Sequence, residues 1–157
     1  MSTLYVIRHA DAGSRRAWED DDDLRPLSKK GRRQSDGIAR ALADAGVTRL
    51  VASPSTRCLE TLAPLGEAVG LPVETDARLR EGSDGPAALA LADEMRELGD
   101  VAVLCSHGDV IPDLLSELRG LGTSFHDDLT WPKGSTWVLS GNGRHWTDAR
   151  HVPTPKS

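Results

Sequence analysis

The sequence predicts an α/β fold whose mostly parallel central sheet is covered by helices on both faces, and two observations carry that expectation. Short β-rich apolar runs alternate along the chain with segments of helical periodicity, the pattern of strands laid side by side and joined by crossover helices. The runs Thr3 to Ile7 and Val101 to Ser106 are apolar without polar alternation, as strands buried on both faces must be. In such a sheet, ligands meet the carboxyl ends of the strands.

The elements follow in order. Thr3 to Ile7 is the first strand and ends at Arg8-His9. Pro26-Leu27-Ser28 then opens a helix with Ile38, Ala41, Leu42 and Ala45 on one face, Ser28 as its N-cap and Gly46 as its stop. Thr48 to Ala52 reads as a strand. Ser55 to Val69 reads as a helix bearing Leu59, Leu62 and Leu65, kinked or restarted at Pro64. Pro72 to Thr75 is a short strand, Ala87 to Leu98 a helix, Val101 to Ser106 a strand and Val110 to Leu118 a helix. Ser135 to Ser140 and His145 to Ala149 complete the series as strands joined by Gly141-Asn142-Gly143.

A chain of 157 residues with 38% hydrophobic content suits one globular domain, taken as residues 1–152, with 153–157 a short flexible tail rich in Pro, Lys and Ser. The apolar runs fall far short of the roughly 20 residues that span a bilayer, so no membrane association is expected. No basic, apolar and small-residue succession opens the chain, and the expected compartment is the cytoplasm. A net charge of −5 argues against nucleic-acid binding by bulk attraction. Two cysteines without a CxxC pair indicate neither a disulfide framework nor a zinc site, and no metal or cofactor is expected. The acidic run Glu19 to Asp23 reads as solvated surface.

Three groups fall where this architecture places a site: Arg8-His9 after the first strand, Arg57 after the second, and His107-Gly108 after the Val101 to Ser106 strand. A phosphoryl group carries charge on its non-bridging oxygens. Arg8 and Arg57 offer planar, permanently charged donors to them. His9 supplies a nucleophile that must be neutral to attack, and the neighbouring arginines and second histidine favour that form by like-charge repulsion. His107 donates to the phosphoryl oxygens. Gly108, starting a helix, adds backbone N–H donors.

These residues resemble the motifs of the histidine phosphatase superfamily, the phosphoglycerate mutase-like proteins, over nearly the whole chain. Leu4-Tyr5-Val6-Ile7-Arg8-His9-Ala10 is similar to its strand and Arg-His-Gly motif, with Ala10 in place of the glycine. Leu27 to Gln34 resembles its following helix start, Ser53 to Thr61 its second-arginine segment, and Leu79-Arg80-Glu81 and Ser106-His107-Gly108 its remaining motifs. The resemblance implies a three-layer αβα sandwich and a metal-independent phosphatase working through phosphohistidine at His9. Its substrate would be a phosphorylated small molecule, such as a nucleotide or phosphate ester, or a phosphohistidine protein. The opening looks most like single-domain phosphohistidine phosphatases, and Lys133 to Ser140 like the phosphatase domain attached to actinobacterial Nudix hydrolases. Glu81 matches the proton-donor position, with a pKa raised by burial near other acidic groups, and Asp84 is its rival.

Lys29, Lys30, Arg32 and Arg33 put positive charge where the helix dipole disfavours it, so stability does not explain them. Substrate steering by Lys29 with Arg15 and Arg16 is one reading, and a soluble face the other. Trp18 is read either as a base-stacking residue or as packing. Among competing chemistries, a cysteine phosphatase needs Cys-x5-Arg, but Pro64 and Ile111 stand at the arginine positions. A mutase needs longer insertions. The alternative from another class is a noncatalytic phosphate-binding or regulatory domain partnering a separate Nudix protein.

Overall fold

A computed structural model describes residues 1–156. Strand β1 (Ser2–Arg8) is followed by α1 (Lys29–Leu42), β2 (Arg49–Ala52), α2 (Thr56–Val69), β3 (Val73–Thr75) and α3 (Gly85–Leu98). Then come β4 (Ala102–Ser106), α4 (Val110–Gly120), β5 (Ser124–Phe125), β6 (Thr136–Gly141) and β7 (Trp146–Val152). The seven strands form one sheet in the order β3-β2-β4-β1-β6-β7-β5. Pairings among β3, β2, β4 and β1 are parallel, whereas β6 runs antiparallel to both β1 and β7.

Alternate side chains of the central strands serve two separate cores, which makes the layers. On one face Leu4, Val6, Ala102 and Leu104 pack with Leu91 and Met95 of α3 and with Ile111, Leu114 and Leu118 of α4. On the other Ile7, Val103 and Cys105 pack with Ile38 and Leu42 of α1 and with Leu62 and Leu65 of α2. Both faces are covered, which is why these strands carry no polar alternation. The three-layer αβα sandwich follows.

Local chemistry sets the ends of the elements. The Ser28 hydroxyl accepts from the Gly31 N–H at 3.0 Å and caps α1, which ends at Leu42, before the expected stop at Gly46. Helix α2 passes through Pro64 without a restart. Proline removes the bond to the carbonyl four residues back, that of Glu60, and the Ser35 hydroxyl of α1 donates to it at 3.1 Å instead. Asp84 caps α3 by accepting from the Ala87 N–H at 2.9 Å. Strand β5, two residues long, is too short to leave a periodic signal and was not expected. Residues 153–156, read from sequence as the start of a flexible tail, lie against the body: Thr154 Oγ1 donates to the Lys133 carbonyl at 2.7 Å and Pro155 lies beside Gly37. Residue 157 lies outside the described residues.

β1 feeds α1 on one face and β4 feeds α4 on the other, so a crevice opens between their adjacent carboxyl ends. Arg8 pairs with Ser106 in register, and the His9 N–H donates to the Ser106 carbonyl at 3.0 Å. His9 and His107 are therefore brought to the same edge by the sheet itself. Gly31 fixes the floor beside them, since a Cβ there would come within 1.9 Å of the Asp11 carbonyl oxygen.

Gly31→Ala gains about 1 kcal/mol of helix propensity but forces α1 off the backbone that follows His9, an overpacking cost of roughly 1–3 kcal/mol. The contact is with backbone and cannot relax by a rotamer change, so the cost outweighs the gain. Thermal melting should show a Tm several degrees below wild type, and an unchanged or higher Tm would show that the close approach is not required.

Candidate active site

The crevice holds a cavity of about 350 Å³ lined by Arg8, His9, Gly13, Arg15, Arg25, Glu81, His107, Gly108, Asp109 and Lys133. Six of these were expected from the sequence: Arg8, His9, Arg15, Glu81, His107 and Gly108. Arg57 stands one layer behind, fully buried, touching Glu81 and His107. Arg16, Lys29 and Trp18 do not line the cavity. Arg16 and Lys29 are exposed, and Trp18 is half-buried beside it.

The His9 ring is buried, and its Nδ1 lies 2.8 Å from the Ala10 carbonyl oxygen. A carbonyl only accepts, so Nδ1 carries the proton and Nε2 keeps its lone pair. Burial pushes the pKa of His9 down to about 3; the Ala10 bond opposes this, and His107, Arg57 and Arg8 add to it. The neutral ring expected from charge repulsion is present, but removal from water leads and repulsion is secondary. Ala10 replaces glycine without strain, because no residue other than glycine among those described has positive φ. Its N–H donates to Thr61 Oγ1 at 3.0 Å.

His107 meets His9 edge to face, with ring centroids 5.4 Å apart. Its Nε2 lies 2.8 Å from Ser53 Oγ and its Nδ1 3.4 Å from Arg57 Nη2. Arginine can only donate, so in the resting site Nδ1 accepts from Arg57 and Nε2 carries the proton toward the Ser53 hydroxyl, which can accept it.

The arginines are held differently. Arg8 Nη1 donates to the Trp131 carbonyl at 3.1 Å, and the guanidinium lies flat over Gly108, where a Cβ would come within 2.7 Å of Nη2. Gly108 therefore makes room for Arg8. It does not start the helix as expected, since α4 begins at Val110 behind Asp109. Arg57 Nη1 donates to the Asp22 carbonyl at 2.8 Å, and Nη2 lies 3.2 Å from both the Asp22 and the Glu81 carboxylates. The Nε atoms of Arg8 and Arg57 are buried without a protein partner. Of the two, Arg8 lines the cavity and Arg57 does not, so Arg8 is the one that an anion in the cavity meets directly.

Two expectations are corrected. The acidic run is not all solvated: Asp22 pairs with Arg15, Arg25 and Arg57, and Asp23 with Arg80. Glu81 has Asp22 and Asp109 near it but is not buried, and arginines hold it directly. Its Oε1 accepts from Arg15 at 2.6 Å and its Oε2 from Arg57 at 3.2 Å, with the side chain 36% exposed. Asp84 is occupied in capping α3, and the second carboxylate on the cavity wall is Asp109, which accepts from the Gly82 N–H at 2.8 Å. Sequence reasoning also missed Arg25 and Lys133. Lys133 begins the Lys-Gly turn before β6, and the Gly134 N–H donates to the Arg8 carbonyl at 3.0 Å, a neighbourhood that only the β1–β6 pairing reveals. No group of three or more His, Cys, Asp or Glu side chains that could hold a metal ion occurs among the described residues.

The family model of the histidine phosphatase superfamily (branch 1) matches residues 4–98, which hold His9, Arg57 and Glu81. The chain belongs to this superfamily. Among its histidine phosphatase relatives, the 8-oxo-(d)GTP phosphatase of Mycolicibacterium smegmatis is 31% identical over 156 residues, covering 98% of this chain and 48% of the relative. The chain thus spans about half the length of that protein. The structure of the protein histidine phosphatase SixA complexed with tungstate superimposes with a TM-score of 0.75 at 21% identity, over 98% of this chain and 96% of that one. Mycobacterial glucosyl-3-phosphoglycerate phosphatase with inorganic phosphate gives 0.68 at 20% identity, over 100% and 98%. These structures share the superfamily fold, and no helix among the described residues is long and apolar enough to cross a membrane.

The depressed pKa of His9 has a sign that can be tested. The unfolded ring takes a proton near pH 6.5 and the folded ring only near 3, so acidification favours the unfolded state. The stability tied to this ring is fully present above 6.5 and is lost progressively as the pH falls toward 3. In an NMR titration the His9 ring resonances should stay fixed from about pH 8 to 4.5, and a midpoint between 6 and 7 would contradict the buried neutral ring.

Proposed function

We propose that this chain is a phosphatase that moves a phosphoryl group from its substrate to Nε2 of His9 and then to water, with no metal taking part. The observation that carries the reading is the His9 ring: with its proton held at Nδ1, where it is donated to the Ala10 carbonyl, it offers Nε2 as the remaining nucleophile in a cationic cavity. In the first step the Nε2–P bond forms as the bond from phosphorus to the leaving oxygen breaks, and Glu81 protonates that oxygen. In the second, water attacks phosphorus, its proton passes to Glu81, the N–P bond breaks and inorganic phosphate departs.

The phosphoryl oxygens take the donors of Arg8, with Lys133 and the Gly108 backbone on the rim, and Arg57 reaches them only as it lets go of Glu81. His107 donates from Nδ1 in the tautomer whose Nε2 accepts from the Ser53 hydroxyl, which becomes open to it when Arg57 turns from Nδ1 to the anion. An arriving dianion competes with Glu81 for Arg57 and Arg15, which weakens the hold of both cations on the carboxylate as the leaving oxygen comes to need a proton. Arg16 and Lys29 add positive potential outside the cavity rather than contacts within it.

The substrate is a phosphorylated small molecule or a phosphohistidine protein. The tungstate and phosphate held by the SixA and mycobacterial structures are anions of the kind this cavity fits. Residues 1–152 form the working domain, and two free buried thiols, Cys58 and Cys105, suit a reducing cytoplasm.

Wild type should hydrolyse para-nitrophenyl phosphate, and His9→Ala should lose activity by roughly 10³-fold or more. The trapped phosphoenzyme should be acid-labile and alkali-stable, and chelators should leave the rate unchanged. Equal rates for wild type and His9→Ala would instead assign the fold to phosphate binding without turnover, and loss in EDTA restored by a divalent ion would remove the metal-free step.

Gly108→Ala should displace the Arg8 guanidinium while sparing the fold, because α4 begins beyond it and the obstructed group is the end of a side chain. Its kcat/KM should fall by roughly tenfold or more. An unchanged value would remove Arg8 from the phosphoryl site.

A further inference from the structure

A second cavity of about 250 Å³ adjoins the phosphoryl pocket, walled by Ala12, Gly13, Trp18, Arg25, Pro26 and Leu27. Gly13 and Arg25 line both cavities, so the two share a wall. We infer that the second cavity receives the leaving group of the substrate and selects one built on a flat, uncharged aromatic ring, an aryl group or a nucleobase. This rests on the phosphatase reading above and names its substrate class.

The walls argue for a ring without charge. Arg25 is the sole ionisable side chain among the lining residues, and two of its three nitrogens are already engaged. Its Nη1 donates to the Ala12 and Gly13 carbonyls at 2.7 and 3.3 Å, and its Nε donates to Asp22 at 3.0 Å. A second anion entering here would find a single cation already neutralised by Asp22, whereas the neighbouring pocket offers Arg8 and Lys133. Of the two serines on the wall, Ser28 is already bonded to Asp11 and Gly31, so a polyhydroxylated leaving group would exchange water mostly for carbon along Ala12, Pro26 and Leu27 and lose hydrogen bonds in doing so.

Trp18 supplies the recognition. Its indole N–H donates to the Asp21 carbonyl at 2.9 Å, and its own segment is closed by turns from Ala17 to Ser14 at 3.2 Å and from Trp18 to Arg15 at 3.4 Å. An indole held along its polar edge has only carbon surface left for a ligand, and little side-chain freedom is lost when a ring packs on it.

Direction joins the two cavities into one path. The proton donor must stand at the leaving oxygen, and Glu81 is bonded to Arg15, within the same segment that carries Gly13 and Trp18. A leaving group that starts at Glu81 therefore continues along residues 13–18 into the second cavity.

The test uses pairs of esters with matched leaving oxygens: benzyl against ethyl phosphate, and adenosine 5′-monophosphate against ribose 5-phosphate. Wild type should prefer the ring-bearing member of at least one pair by tenfold or more in kcat/KM, and the pair that shows it tells an aryl from a nucleobase ligand. Trp18→Ala should cut that preference at least fivefold, chiefly through KM, and Trp18→Phe should restore most of it. Calorimetry on His9→Ala, which needs no turnover, should show the preferred ring-bearing phosphate binding at least tenfold tighter than inorganic phosphate, an advantage lost when Trp18→Ala is added. Absence of turnover in wild type with this binding difference intact would sink the phosphatase reading alone. No preference in either pair, or an equal loss by Trp18→Ala for both members, would overturn the ring-binding inference.

Discussion

A guanidinium cannot shed its proton at any ordinary pH, so burying Arg57 completely obliges the fold to bring it carboxylates. Asp22 approaches from the loop before α1 and Glu81 from the loop after β3, each at 3.2 Å from the same nitrogen. The second arginine, the acidic run and the proton-donor candidate are thereby one unit rather than three features. The exposed Arg80–Asp23 pair beside them contributes only about 0–1 kcal/mol. Breaking the contacts of a buried charge weighs more, because what remains is unpaired and dry.

Much of this arrangement was legible because strand order does the positioning. A run of apolar residues without alternation implies a doubly covered strand, and the residue just past such a strand lies at the ligand edge, which located His9 and His107 together. Ser28 as a cap and Glu81 as a neighbour of the site were visible for similarly local reasons. Asp22 was not, since a string of carboxylates reads locally as mutual repulsion, and the cations that relieve it come from Arg15, Arg25 and Arg57 at unrelated points in the chain. Lys133 was hidden because its nearness to Arg8 depends on the antiparallel pairing of β6 with β1. Lys29 was placed too near for the opposite reason: a helix start reveals charge but not the direction in which an exposed side chain leaves.

Small residues let these charges approach. Gly31 lets α1 sit against the Asp11 carbonyl, and Gly108 lets Arg8 lie flat over the chain behind His107. Ala10 is the instructive exception among the motif positions. The family glycine is replaced with no positive φ, and its buried methyl joins Ala12 and Leu27 in a small core under the loop. What this position requires is low volume rather than an unusual backbone.

The neutral nucleophile follows from the same economy of space. Cations near His9 disfavour a charged ring, but their effect passes through whatever solvent separates them, whereas burial removes the hydration that an imidazolium needs and acts on the ring directly. Burial leads here, so neutrality at His9 survives even where Asp22 and Glu81 offset the charge of the arginines. The cations are then free to be balanced by acids in the resting protein without compromising the lone pair. A site tuned by repulsion alone could not do both, because every carboxylate that steadied an arginine would have pulled a proton back onto the nucleophile.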